Sequence, residues 1–174
     1  MRNAIRGFHK RLSILVLAGV LSGAGLSLAT LPAATHAAAE GNPTAQIDAM
    51  DTDSFWSPEA CAGSSDQFRF RLYYHPGQTG AWVNIGHDID DLEYLDLGDP
   101  GPNPLPFCDG TGAGAGQSSA NNAGSAYNWF DGYCATVHYS AGYQGASQRF
   151  NPNSGGDLNS ALHNNDRSVG FGSC

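Results

Sequence analysis

Positive charge is scarce in this chain and unevenly placed. Four of the eight basic residues lie in the first eleven positions, and the only lysine is Lys10. From residue 40 onward, four arginines stand against all 16 acidic residues, a formal charge of 4 − 16 = −12. A surface this negative repels phosphate backbones and anionic lipid headgroups. We therefore expect no nucleic-acid partner, and no membrane partner for the part that follows residue 39.

Enzyme motifs are also missing. The sequence has no H-E-x-x-H, G-x-S-x-G or C-x-x-C pattern, which are the spacings typical of zinc peptidases, serine hydrolases and redox or zinc centres. His87 lies beside Asp88, Asp90 and Asp91, where it could bind a cation or join a serine in a triad, but the pattern favours a solvated acidic loop. The alternating glycines at 110–116 lack a preceding strand and a following helix and favour a flexible linker. We expect a protein that is not an enzyme.

The single long apolar run lies near the N-terminus. A basic stretch is followed by apolar residues 12–31 and by the small-residue string at 33–39. This order is typical of a secretory signal peptide with an A-x-A cleavage site, and glycines, serines and threonines dilute the run against a membrane anchor. Residues 1–39 are predicted to be removed, leaving a secreted, extracellular protein.

No helical period longer than about two turns is found from residue 40 onward. Residues 40–60 are acidic, with isolated apolar side chains at Ile47, Met50, Phe55 and Trp56. We interpret them as an extended arm that either threads into a partner groove by strand addition or is a disordered leader. The run at 68–74 alternates and is aromatic, which predicts a half-exposed strand. The fold class is therefore all-β.

All four cysteines, Cys61, Cys108, Cys134 and Cys174, follow the predicted cleavage site. In an exported protein they are expected to form disulfides. Three pairings are possible, and we favour Cys61 with Cys108 and Cys134 with Cys174 because that pairing staples each half of the domain separately.

The most informative feature is an internal repeat. The pattern Y-x-x-G-x-x-G-A occurs at residues 74–81 and again at 139–146, and an Asp-Leu pair follows at 91–92 and at 157–158. The pattern N-N-x-x-S then occurs twice, with Asn121, Asn122 and Ser125 in the first copy and Asn164, Asn165 and Ser168 in the second. Glycines three apart permit positive φ in a folded turn, and asparagine tolerates the same region. Two copies of one supersecondary unit are predicted, at about 67–130 with an insertion at about 98–119, and at about 133–174.

This order of motifs resembles the Greek-key unit of the βγ-crystallin superfamily, over most of residues 68–174. It is most similar to the small secreted bacterial members grouped with the streptomycete metalloproteinase inhibitor and the killer-toxin-like proteins. The resemblance implies a βγ-crystallin-like sandwich of two Greek-key motifs with exchanged strands, spanning 61–174 and preceded by the signal peptide and the extended arm.

In calcium-binding members of the superfamily, the N-N-x-x-S segments are similar to half-sites. The resemblance implies that Ca²⁺ could be held by Asn121, Asn122, Ser125, Asn164, Asn165 and Ser168, an oxygen-only set of the kind calcium requires. The final Ser of the family pattern is absent, since Ala126 and Val169 stand there. The alternative is that these segments are asparagine turns without a metal.

The resemblance and the missing enzyme motifs indicate a protein-binding module. One hypothesis is an inhibitor of an extracellular peptidase acting through the insertion at 98–119, anchored at Cys108. The alternatives are a subunit or adaptor of a secreted toxin that docks partners through its arm, and a calcium-stabilised structural protein. Trp129 and Phe130, between the two units, could also belong to a binding patch.

Overall fold

The computed structural model describes residues 43–44 and 48–174. Helix α1 (Asp48–Trp56) is followed by a short 3₁₀ turn, Pro58–Cys61. Seven strands come next: β1 (Phe70–His75), β2 (Thr79–Ile85), β3 (Ser125–Asn128), β4 (Tyr133–Ser140), β5 (Gln144–Phe150), β6 (Ser154–Asp157) and β7 (Ser168–Ser173). No helix in this described part is long and apolar enough to cross a membrane.

The strands form two antiparallel sheets that exchange a strand. The first sheet has the order β2-β1-β3-β6 and the second the order β5-β4-β7. Strand β6 belongs to the second repeat but pairs with β3 of the first. In return, Ile89 of the first repeat forms a bridge with Val169 in β7. This exchange confirms the predicted fold class, a βγ-crystallin-like sandwich built from two Greek-key motifs.

The repeated turns have the same backbone in both units. Positive φ occurs at residues 77, 78 and 80 in the first unit and at residues 142, 143 and 145 in the second. Four of these six residues are glycines, which adopt positive φ without steric cost. The Y-x-x-G-x-x-G pattern therefore determines the turn locally, as the sequence predicts.

The core lies between the two sheets. It contains Phe70 and Leu72 from β1 and Val137 from β4, all fully buried, together with apolar side chains from the segments between strands. Both favoured disulfides are confirmed, Cys61–Cys108 and Cys134–Cys174. The first joins the 3₁₀ turn to the insertion, and the second joins β4 to the C-terminus.

The N-terminal arm is not extended where the structure describes it. Residues 48–56 form α1 and residues 58–61 form the 3₁₀ turn, in which the Ser57 hydroxyl accepts from the Glu59 N–H and Pro58 occupies the first turn. The prediction of an extended arm to residue 60 is therefore wrong for residues 48–60. Tertiary packing of a short helix outweighs the missing amphipathic period. The predicted signal peptide and Ile47 lie outside the described residues.

Candidate functional site

The serines of the two N-N-x-x-S segments have equivalent structural roles. The Ser125 hydroxyl donates to the His75 carbonyl at 2.6 Å and accepts from the Gln78 N–H at 2.9 Å. The Ser168 hydroxyl donates to the Ser140 carbonyl at 2.7 Å and accepts from the Tyr143 N–H at 3.1 Å. Each serine thus anchors the folded turn of its own unit, and both are fully buried.

The asparagine turns lie side by side. Asn121 and Asn164 both have positive φ, 58° and 57°. The Asn121 N–H donates to the Asp166 carbonyl at 2.7 Å, and the Asn164 N–H donates to the Ala123 carbonyl at 3.0 Å. This reciprocal pair of hydrogen bonds brings the two predicted half-sites together at the boundary between the repeats.

The six predicted calcium ligands differ in how well they fit the ion. The serine hydroxyls do not fit, because both are buried and already bonded to backbone groups. The second asparagine of each turn donates its side-chain N–H to a local carbonyl, Asn122 to Ser118 and Asn165 to His163. The side-chain oxygens of the asparagines therefore remain as candidate ligands, and calcium binding remains a prediction.

A buried acid stands between the same two turns. Asp166 is fully buried, and one carboxylate oxygen accepts from the Ala123 N–H at 3.0 Å. Its other carboxylate oxygen, Oδ2, has no hydrogen-bond partner in the described part of the chain. Burial raises the pKa of Asp166 from the ordinary 3.8 to about 7, against the lowering effect of backbone N–H groups. The sequence gives no signal for this burial, since most aspartates in turns are exposed.

The predicted insertion divides into two different parts. Residues 98–102 are exposed, whereas Leu105, Phe107 and Cys108 are buried in the core. The rest of the insertion covers the open edge of β2, where the Ala81 N–H donates to the Ala113 carbonyl and the Cys108 N–H donates to the Trp82 carbonyl. Covering a sheet edge in this way protects it from pairing with other chains. The glycines at 110–116 are therefore an ordered edge cover, and the linker interpretation is wrong.

Residues 96–104, which include the exposed start of the insertion, form a closed loop that we call the 96–104 loop. It is flanked by the buried side chains of Leu95 and Leu105. The Leu95 N–H donates to the Asn103 carbonyl at 3.1 Å, which closes the loop at its base. The Asn103 side chain donates to the Asp99 carboxylate at 2.9 Å, across the loop. The Asp96 N–H donates to the Asp51 carboxylate of α1 at 2.9 Å.

A buried Ser-His pair docks α1 onto the domain. The Ser54 hydroxyl lies 2.6 Å from His87 Nε2, and His87 Nδ1 lies 2.8 Å from the Asp88 carbonyl. Ser54 and His87 are only 1% and 3% exposed. The interpretation of His87 as part of a solvated acidic loop is therefore wrong. The pair has the spacing of a nucleophile and a base, but it is enclosed by α1 and holds the helix in place.

The four residues predicted to bind partners have different surroundings. Phe55 is half-buried and packs against the core, so it does not extend toward a partner groove. Trp56 is 70% exposed at the end of α1. Met50 lies in α1, and Ile47 lies outside the described residues. Among the residues of this set whose side chains the structure describes, Trp56 is therefore the exposed one.

Comparisons with known proteins found solved structures of similar fold at low sequence identity. A structure from work on the evolution of the eye-lens βγ-crystallin domain fold has 14% identity and a TM-score of 0.45, covering 65% of this chain and 93% of that one. A βγ-crystallin domain from Flavobacterium johnsoniae has 18% identity and a TM-score of 0.39, covering 60% and 93%. The N-terminal domain of protein S has 16% identity and a TM-score of 0.39, covering 60% and 96%. No model of a known protein family matches the chain, and neither does any curated protein.

Proposed function

We propose that this protein is a secreted binding module that blocks an extracellular peptidase with its 96–104 loop. The proposal rests on one observation: the tip of this loop is exposed, and its two ends are held in place by contacts with the domain. Residues 98–102 face solvent, while the Leu95–Asn103 hydrogen bond and two buried leucines hold both ends. A loop that is already ordered loses little conformational entropy when it binds.

The proline spacing of the loop supports resistance to cleavage. Asp99–Pro100, Gly101–Pro102 and Asn103–Pro104 are X–Pro bonds, so every second peptide bond of this stretch lacks an N–H. Proline also favours extended conformations in the residue before it, which applies to Asp99 and Asn103, whereas Gly101 has a φ of 154°. The disulfide from Cys61 to Cys108 ties the segment just beyond the loop to the domain.

Secretion and the lack of nucleic-acid or membrane partners are part of the same proposal. Two disulfides are the expected state in an oxidising compartment. The acidic residues that outnumber arginine after position 39 oppose binding to phosphate-bearing surfaces. The repeat motifs of the sequence resemble those of the group that contains the streptomycete metalloproteinase inhibitor, so metallopeptidases are the first class to test.

The experiment is a measurement of inhibition constants for residues 40–174 against a panel of extracellular metallo- and serine peptidases. A loop variant carries Asp99→Ser, Pro100→Ser and Pro102→Ser, and the matched control is Pro152→Ser in a turn of the second unit. We expect stoichiometric inhibition of at least one peptidase, a loss of about tenfold or more in the loop variant, and no change in the control. Inhibition that survives the loop substitutions would refute the assignment of the loop, and inhibition of no peptidase would refute the function.

A second candidate function is that of an adaptor or subunit in a secreted toxin. The observation that favours it is Trp56, a large aromatic side chain that is 70% exposed on a helix docked to the domain. Tryptophan is enriched at the energetic centres of protein interfaces. Pull-downs from the producer's culture supernatant, with wild type and Trp56→Ser, test this function. Recovery of large secreted proteins that depends on Trp56 and is unchanged in the loop variant would favour the adaptor over the inhibitor.

A further inference from the structure

A cavity of about 270 Å³ opens on the outer face of the first sheet. Phe68 and Trp129 contribute aromatic surface, and Arg71 and Asn84 contribute polar groups from neighbouring strands. Residues 63–66 form the opposite side. Ligand sites are typically concave and largely apolar, with a few placed polar groups. The volume is below that of drug-sized pockets and suits a single small ring.

Arg71 is a charged group in this cavity without an acidic partner. Its guanidinium donates to the Asn84 side-chain oxygen at 2.7 Å and to the carbonyls of Ala62 and Gly63 at 3.2 and 2.9 Å. All three acceptors are neutral, and no carboxylate of the described residues forms an ion pair with Arg71. A partly buried guanidinium without a counter-ion is a favourable place for an anion.

Aromatic rings surround the same guanidinium. Its central carbon lies 3.8 Å from the centre of the Trp82 ring and 5.2 Å from that of Trp129. Trp129 in turn packs against Tyr127, with the ring centres 4.5 Å apart and the ring planes tilted by 40°. These contacts hold Arg71 and Trp129 in place, so a ligand would meet a preorganised surface.

The fold itself does not require this arrangement. The Y-x-x-G-x-x-G-A motifs of the two units are 65 residues apart, and the N-N-x-x-S motifs are 43 residues apart. By these offsets, Thr136 in the second sheet is equivalent to Arg71, and Gly172 is equivalent to Trp129. The outer face of an antiparallel sheet is usually polar where it meets water. The second sheet has small or polar residues at these positions, whereas the first has a guanidinium and an indole. The difference indicates a role for the first sheet beyond stability.

We propose that this cavity binds a single sugar that carries one carboxylate, a uronic acid, with the carboxylate on Arg71 and the sugar ring against Trp129. The flat indole offers an apolar surface for the C–H face of a pyranose. Asp66, on the rim, opposes a simple anion but can accept hydrogen bonds from sugar hydroxyls, and Ser64 can donate one. A peptide strand is less suited, because the insertion already covers the β2 edge.

The test is an NMR titration of residues 40–174 with D-glucuronate, D-glucose and acetate. We expect glucuronate to shift the indole N–H signal of Trp129 with millimolar affinity, about fivefold or more tighter than glucose or acetate. Higher salt should weaken glucuronate binding, since exposed ion pairs are screened. Equal binding of glucose would refute the role of Arg71, and equal binding of acetate would refute the role of the ring. Tighter binding of an acidic peptide than of glucuronate would also overturn the proposal, in favour of a protein partner.

Two variants separate the site from the fold. Arg71→Gln removes the charge, but it can also loosen residues 62 and 63, whose carbonyls accept hydrogen bonds from Arg71. Gly63→Phe avoids this problem, because a Cβ at Gly63 meets open space beside the cavity. The matched control is Gly172→Phe, which also meets open space but lies on the second sheet. We expect Gly63→Phe to weaken glucuronate binding at least about tenfold and the control to leave it unchanged. Unchanged binding in Gly63→Phe would place the sugar elsewhere and refute the site.

Discussion

Replacing Asp166 by asparagine should change how the stability of this protein depends on pH. The carboxylate is fully buried between the two asparagine turns, and burial raises its pKa from 3.8 to about 7. In the unfolded chain the same group titrates near its ordinary value. At pH values between these two pKa values, the Asp166 carboxyl is therefore protonated in the native state and ionised in the unfolded state.

The sign and size of the effect follow from proton linkage. Because the native state binds more protons, the contribution of Asp166 to the free energy of unfolding falls as the pH rises from about 4 to about 7. The two pKa values differ by about three, and a difference of one corresponds to about 1.4 kcal/mol. The free energy of unfolding therefore falls by at most about 4 kcal/mol over this pH range. Above pH 7 the contribution is constant, since both states are then ionised.

The assay is denaturant unfolding of wild type, Asp166→Asn and a control, Asp109→Asn, at closely spaced pH values from acid to mildly basic. Asp109 is exposed, so its replacement should leave the wild-type profile unchanged. In Asp166→Asn the fall between about pH 4 and 7 should be smaller, and the variant should gain stability relative to wild type as the pH rises. Parallel profiles for wild type and Asp166→Asn would refute the reasoning and show that folding does not raise the pKa of Asp166.

Two further predictions concern the repeated turns. Ser125→Ala and Ser168→Ala should each lower the free energy of unfolding by about 2 kcal/mol, because each leaves a turn carbonyl and a turn N–H without a partner. Exposed Ser147→Ala is the control, and losses below about 0.5 kcal/mol in the buried serines would contradict the anchoring role. Calcium binding is tested by thermal melts in calcium, in magnesium and in chelator. Calcium held by the asparagine side-chain oxygens should raise the Tm in calcium but not in magnesium, and coincident curves would show that these segments are asparagine turns without a metal.

The exposed loop was only partly predictable. Glycine and proline at 98–104 correctly indicate a connection at the surface, because such residues interrupt strands. The same reasoning extends the loop to residue 119, where it is wrong, since Leu105 and Phe107 enter the core and the glycines beyond them lie along β2. Local composition describes what a segment can adopt, and only the position of the open β2 edge determines where this segment packs.

The N-terminal segment also has a structure that depends on distant residues and that its local sequence does not predict. The hydrogen bond that docks α1 joins Ser54 and His87, which are 33 residues apart and share no motif. Nothing in residues 48–56 alone predicts a helix, because its apolar residues have no helical period. The helix exists in the context of the surface on which it lies, where Phe55 packs and Ser54 is buried.

By itself, the sequence determined the two repeated Greek-key units of this protein. It could do so because positive φ at glycine and asparagine is a local property, and because a repeated turn pattern shows which segments are equivalent. Only the tertiary structure decided that Asp166 is buried, that Arg71 stands beside Trp129 with no carboxylate of the described residues paired to it, and that the insertion is half loop and half edge cover. Desolvation, stacking and edge pairing depend on neighbours that are distant along the chain, and only the folded structure brings them together.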